Sequence, residues 1–399
     1  MKLIEPLVAW QDEIAAIRQD IHAHPELGYE EVRTSNLVAT RLEEWGIEVH
    51  RGLATTGVVG VIQGKGNSTR AIGLRADMDA LPMQEINTFA HASKTPGKMH
   101  GCGHDGHTAM LLAAARYLAQ TRDFDGRVIV IFQPAEEGGG GAKRMVDEGL
   151  FEQFPVEAVF GMHNWPGLPV GTFGVNSGPI MASANEFKIV ITGKGAHAGM
   201  PHFGVDPVMT AVQMAQAFQT IVTRNRNPLD AAVLSLTQIH TGSADNVIPE
   251  TAEMRGTVRT FTETTLDLIE SRMRTIAEHT AAAMNCTVDF EFVRNYPATV
   301  NHAAESAFSA DVLRDIVGTE RVDANIAPSM GAEDFAFMLQ ARPGSYIWLG
   351  AGEGEHRAPG HGMGPCMLHN GSYDFNDALL PVGATYWVEL AKRWLARPA

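Results

Sequence analysis

Cysteine is scarce in this chain: three in 399 residues, Cys102, Cys286 and Cys366. Cysteines so few and so widely separated do not make a disulfide framework, and a reducing cytoplasm is the expected compartment. Basic residues are also in deficit. Against 46 Asp and Glu stand 31 Lys and Arg, a formal net charge of −15, so neither nucleic acid nor an anionic membrane would find the basic face it needs. Long apolar runs are missing as well. No window holds about 18 uninterrupted apolar residues, which argues against a membrane-spanning helix. The first residues, MKLIEPLVAWQDEIAAIRQDIHAHPEL, reach Asp12 and Glu13 before any long apolar run, and an amphipathic helix is expected there rather than a secretory signal.

What is present is enough for two domains. A chain of 399 residues exceeds the usual size of a single core, and an apolar fraction of 45% can fill two. The first half alternates helical periodicity with short β-branched runs: AIGLRA (71–76), RVIVIF (127–132) and EAVFGMH (157–163), with TAMLLAAARYLAQ as an intervening helix. This is the pattern of an α/β domain, a mixed sheet with helices on both faces. After VNSGPIMASA the order becomes strand (186–193), helix (206–224), two strands (231–240 and 251–260), helix (262–284) and strand (286–294). That βαββαβ order predicts a ferredoxin-like α+β insert. The expected organisation is a discontinuous domain, 1–182 with 297–399, interrupted by an insert at 183–296. No internal repeat is evident.

The segment MHGCGHDGHTAM sets Cys102 and His104 two apart in a glycine-rich loop. In extended backbone that spacing puts both side chains on one side, where a thiolate and an imidazole suit Zn²⁺ or a similar ion. A buried cysteine and a helix-capping histidine would give the same residues. FQPAEEGGGGAKRM adds Glu136 and Glu137 at the carboxyl end of a predicted buried strand, where open α/β sheets place their sites. Neighbouring carboxylates project differently, so one can bind metal while the other moves a proton. A solvated acidic turn is the alternative. The four glycines do not form a phosphate loop, because Ala142, Lys143 and Arg144 follow them where Gly-Lys-Ser/Thr is required. His163 ends another predicted strand, and His369 lies in the loop MLHNGSYDFND before the last helix. Cys102, His104, a glutamate, His163 and His369 exceed what one open tetrahedral site needs, and two ions sharing a bridging group would use them better.

The segments DIHAHPELGYEE, GLRADMDALP, MHGCGHDGHTAMLL, FQPAEEGGGGAKRM, GMHNWP, GKGAHAGMPHFGVDP, DNVIPE, GAEDFAFM and LHNGSYDFND occur in this order over nearly the whole chain. In this it resembles the M20 metallopeptidase family, in the amidohydrolase branch of hippurate hydrolases, N-acyl-amino-acid amidohydrolases and plant auxin-conjugate hydrolases. The resemblance implies metal ligands at Cys102, His104, Glu137, His163 and His369, with Cys102 as bridge and Glu136 as general base. It implies two divalent ions per subunit, Zn or Mn, with Co or Ni compatible, and a water shared between them attacking the amide of an N-acyl or N-aroyl amino acid. His197 matches a family histidine that stabilises the oxyanion from a partner subunit, with His202 a competitor in the same loop, and Asn246 matches a position that holds the substrate carboxylate. A homodimer through the insert, acting as lid and dimerisation domain, is implied too. The chain departs from the wider family at Arg75, where many members carry a ligand histidine; Asp77 then orients ligands or is structural. Arg259 could meet the substrate carboxylate or pair with a neighbouring acid. Asp105 could orient His104, and His107 could buttress a ligand or cap the helix that follows. Cys366 matches no ligand position. An M20-type dipeptidase or aminopeptidase, or a metal-binding homologue without catalysis, are the other readings.

Overall fold

The computed structural model describes residues 1–398. The chain forms two compact units: one of Met1–Ile180, Val300–Ala327 and Asp334–Ala399, the other of Met181–Thr299 and Pro328–Glu333.

The first unit is built on an eight-stranded sheet in the order Glu48–Arg51, Val58–Gln63, Arg127–Gln133, Ala71–Asp77, Ala158–Pro166, Gly344–Gly352, Phe173–Gly174 and Val322–Asp323. Its four central strands, Arg127–Gln133 to Gly344–Gly352, run parallel, and they pair antiparallel with Val58–Gln63 on one side and Phe173–Gly174 on the other. VIVIF (128–132) is buried at every residue, as a strand covered on both faces must be. Val128, Val130 and Phe132 enter one large core with Ile72, Leu74 and the helix His104–Thr121. Polar side chains gather at the carboxyl ends of these strands, where Asp77 pairs in register with Gln133 and His163 with Trp348. The strand carrying His163 continues three residues beyond it, to Pro166.

The second unit has a four-stranded antiparallel sheet in the order Ala232–Thr241, Thr251–Thr260, Ala184–Thr192, Thr287–Tyr296. Counted along the chain this is the 2-3-1-4 order of a βαββαβ unit. Phe187, Ile189 and Ile191 alternate inward on the first strand and meet the helices Pro207–Thr220 and Glu263–Ala283, leaving the other sheet face polar. Both helices start as their sequences prescribe. Asp206 accepts from the Val208 N–H at 2.8 Å just before Pro207, and Thr262 from the Thr265 N–H at 3.2 Å. Among the described residues no helix is long and apolar enough to cross a membrane.

Candidate metal centre

The candidate centre lies in the first unit. Cys102 precedes the helix that His104 opens, and between them Gly103 adopts φ +101°. A Cβ there would collide with Asn164 Oδ1 and the Tyr373 hydroxyl, so only glycine lets the loop turn at this point. The turn delivers the Cys102 thiol to 3.3 Å from His163 Nε2. His163 Nδ1 donates to the Asn164 carbonyl at 2.6 Å, which leaves Nε2 as the nitrogen facing the thiol.

Glu136 and Glu137 leave the end of Arg127–Gln133 through Ala135, at φ +53°. Two carboxylates hold this strained turn: Glu31 Oε1 accepts from the Ala135 N–H at 2.8 Å, and Asp79 Oδ2 from the Glu137 N–H at 2.8 Å. Asp79 also meets His104 Nδ1 at 3.2 Å. His104 Nε2 then faces Glu137 Oε1 at 3.9 Å, and His369 Nε2 reaches the same oxygen at 3.2 Å. Glu136 is buried, and the Asp334 N–H approaches its Oε1 at 3.4 Å.

Three donor groups emerge, each with its ligand atoms within 4.8 Å of one another: Cys102, His104 and His163; Cys102, Glu137 and His369; His104, Glu136 and Glu137. The chemistry of the set fits divalent cations. His104 Nε2 is buried with no hydrogen-bond partner, and Glu137 Oε1 has no hydrogen bond beyond its ion-pair contact with His369; such atoms are expensive unless an ion or water satisfies them. Burial disfavours charge on His104, but Asp77, Asp79 and Glu137 outweigh it and push the imidazole up to about 10. Burial raises the Cys102 thiol far above its ordinary range, and the Glu137, Glu136 and Asp77 carboxylates raise it further. A pocket that raises both groups calls for positive charge, and cations would supply it.

Arg75 is no ligand. Fully buried, it donates to Asp77 Oδ2 at 2.8 Å, Gln133 Oε1 at 2.8 Å and Asp334 Oδ1 at 3.2 Å. Burial would raise the Asp77 carboxyl, but His104, Arg75 and His107 together hold it well below the usual carboxylate range. His107 buttresses the site, its Nδ1 on Asp77 Oδ1 at 2.6 Å and its Nε2 accepting the Asn164 N–H at 3.0 Å. Asp105 does not orient His104. It pairs with His22 Nδ1 at 2.8 Å, and Asp79 has the orienting role instead. Asp79, Glu31 and Asn164 were not singled out from the sequence, although Asp79 stands two residues beyond Asp77, on the same side of an extended chain.

His197 and Asn246 belong to the second unit, both exposed on one short ribbon in which Ala196–His197 pairs with Val247–Ile248 and the Ala198 N–H donates to the Asn246 carbonyl at 2.9 Å. His202 is exposed and packs on Phe203. Arg259 makes no ion pair within 4.0 Å among the described residues; Glu186 is the acid whose charge it feels.

Residues 73–393 match the model of Peptidase family M20/M25/M40. The chain belongs to this family. M20 relatives of known activity include the hippurate hydrolase of Campylobacter jejuni, 40% identical over 99% of this chain and 100% of that one, and an N-acetylcysteine deacetylase of Bacillus subtilis, 39% identical over 96% and 97%. Among solved structures, a Bacillus subtilis dinuclear metal binding peptidase from the M20 family superposes with a TM-score of 0.82 at 35% identity, covering 97% of this chain and 99% of that one. The M20 chain described here is thus a hydrolase of the amidohydrolase branch.

Proposed function

We propose that this M20 hydrolase cleaves the amide of N-acyl or N-aroyl amino acids to a carboxylic acid and a free amino acid. Its two divalent ions would be held by Cys102, His104, Glu137, His163 and His369, with Glu136 as general base. The observation that carries the proposal is the overlap of the donor groups: Cys102 belongs to two of them and so does Glu137, while Glu136 stands buried beside both. Thiolate and imidazole donors suit Zn²⁺, and the carboxylates admit Mn²⁺, Co²⁺ or Ni²⁺. Such ions, once bound, polarise the amide carbonyl and lower the pKa of the attacking water.

The proton transfers are the work of the chain itself. Glu136 accepts the water's proton and passes it to the departing nitrogen, which must leave as a neutral amine. The Asp334 N–H at Oε1 orients the carboxylate for both transfers. By resemblance to the family, His197 is assigned to the developing oxyanion across a homodimer, and Asn246 to the substrate carboxylate. The substrate class rests on what the named relatives share: hippurate and N-acetylcysteine are both acids joined to an amino-acid nitrogen. Three unpaired cysteines support a reducing, cytoplasmic setting.

The deciding experiment compares wild type with Glu136→Gln, metal content determined for each, on N-acetyl amino acids, N-benzoyl amino acids and dipeptides. Wild type is expected to release amino acid from the acylated substrates. The variant is expected to keep its ions and lose about 10²–10⁴-fold in turnover. Cleavage of dipeptides alone would replace the substrate class with the peptidase reading, and an active variant would remove Glu136 as base.

A further inference from the structure

Between the strand Gly344–Gly352 and the turn Asp377–Leu379, residues 353–376 form neither helix nor strand. Irregular backbone of that length inside a packed domain asks for something to order it. The segment carries His369, and it also gathers His356, His361 and Cys366 around Asp374, none of which the mechanism above uses.

Each of these two histidines has one ring nitrogen tied to a backbone carbonyl: His361 Nδ1 donates to Ala358 O at 2.8 Å, and His356 Nε2 to Asp374 O at 3.1 Å. The second nitrogen of each, His361 Nε2 and His356 Nδ1, is buried without a hydrogen-bond partner. The His361 side chain is 5% exposed, and its Nε2 faces Asp374 Oδ2 at 3.4 Å. With the Nδ1 hydrogen committed to Ala358, a neutral His361 aims a lone pair at a carboxylate, which is repulsive unless positive charge lies between them. A ring anchored through one N–H to a carbonyl, with the other nitrogen free, is the usual posture of a metal-bound histidine.

Arg18 does not supply the missing charge alone. It donates to Asp374 Oδ1 at 2.8 Å but divides itself among Asp374, Asp377 and Asp105, which leaves Oδ2 to the histidines. One ligand atom from each of His356, His361 and Asp374 lies within 4.8 Å of the others. His91 Nε2, 3.1 Å from Asp374 Oδ1, flanks the set, whereas the Cys366 thiol is hydrogen-bonded to the Asp374 backbone, donating to its carbonyl at 3.3 Å and accepting its N–H at 3.4 Å.

We propose that His356, His361 and Asp374 hold a third divalent ion, separate from the catalytic pair and structural in role. Two imidazoles and a carboxylate select a zinc-class transition ion over Mg²⁺ or Ca²⁺. The ion staples the segment that presents His369, a residue at φ +58° whose N–H donates to Gly101 O at 2.7 Å. The site stands independently of the substrate proposal.

The test counts zinc in the full-length protein after loading with excess Zn²⁺ and desalting, by elemental mass spectrometry, for wild type, His361→Gln, Cys102→Ala and the double variant. Three ions per chain are expected in wild type and two in His361→Gln, with the double variant losing one ion relative to Cys102→Ala. Ions lost through Cys102 report on the catalytic pair, and ions lost through His361 report on the loop, so the two proposals fail separately. His356→Gln repeats the test if His361→Gln does not fold. A count in His361→Gln equal to that of wild type overturns the site, whatever the wild-type total.

Discussion

Asp79 and Glu137 are joined at 2.8 Å, the carboxylate of one accepting the backbone N–H of the other, while the second oxygen of Asp79 lies 3.2 Å from His104 Nδ1. One buried acid thus orients two proposed ligands that arrive from different elements. Partners of this kind typically carry 10–100-fold in metal affinity. Asp79→Asn keeps the shape and removes the charge, so metal affinity should fall by at least about tenfold, with activity recovered at excess metal. A chelator-competition titration measures this. Unchanged affinity would mean that His104 and Glu137 are held by something else.

Gly103 sits where a left-handed turn and a close approach coincide. At φ +101°, with Asn164 Oδ1 and the Tyr373 hydroxyl in the path of a Cβ, alanine can neither adopt the backbone conformation nor fit the space. Gly103→Ala should cost about 2 kcal/mol or more and displace Cys102 and His104 together, so thermal stability and metal content should fall in step. Normal metal content with only a lower melting temperature would show that the loop relaxes without moving its ligands.

His22 gives the pH dependence a sign. It is fully buried between Asp105, 2.8 Å from Nδ1, and Glu85, 3.3 Å from Nε2. Burial opposes its charge, but the hydrogen bonds to these acids raise the imidazole to about 9, from an ordinary 6.5. A raised histidine contributes stability that is complete below the unfolded value near 6.5 and lost as pH climbs through 9, at most about 3 kcal/mol here. Denaturant unfolding of the wild type should therefore weaken between these limits more steeply than that of His22→Gln. Parallel pH curves for the two proteins would sink the assignment.

The contrast between Asp79 and Asp105 shows how far sequence could lead. The candidates Cys102, His104, Glu136, Glu137, His163 and His369 stand out in the sequence because each lies in a short motif at a strand end or in a loop, their proposed roles coming from the family resemblance, and the βαββαβ insert could be read from periodicity alone. Orientation could not. Asp105 adjoins His104 in sequence, yet the helix they share turns successive residues about 100° apart, and Asp105 ends against His22 while Asp79, 25 residues upstream, meets His104. Glu31 steadies Ala135 from 104 residues away, a relationship that only the packed sheet creates. His356 and His361 carried no motif at all, and only the folded loop brings them to Asp374.

Arg75 lies buried at the candidate centre, and its surroundings explain what a guanidinium does there. It is fully buried and bridges Asp77 and Asp334, the first of which holds His107 while the second offers its N–H to Glu136. Removing one partner from a buried ionic network leaves the other charges uncompensated, at about 3–5 kcal/mol. Arg75→Met should lose about that much stability in urea denaturation, far more than an exposed arginine such as Arg41. Because Arg75 is a clamp and not a ligand, the folded variant should still bind as many ions as wild type. A drop in ion count without a drop in stability would place Arg75 in control of the metals themselves, contrary to the geometry that ties its guanidinium to Asp77, Gln133 and Asp334.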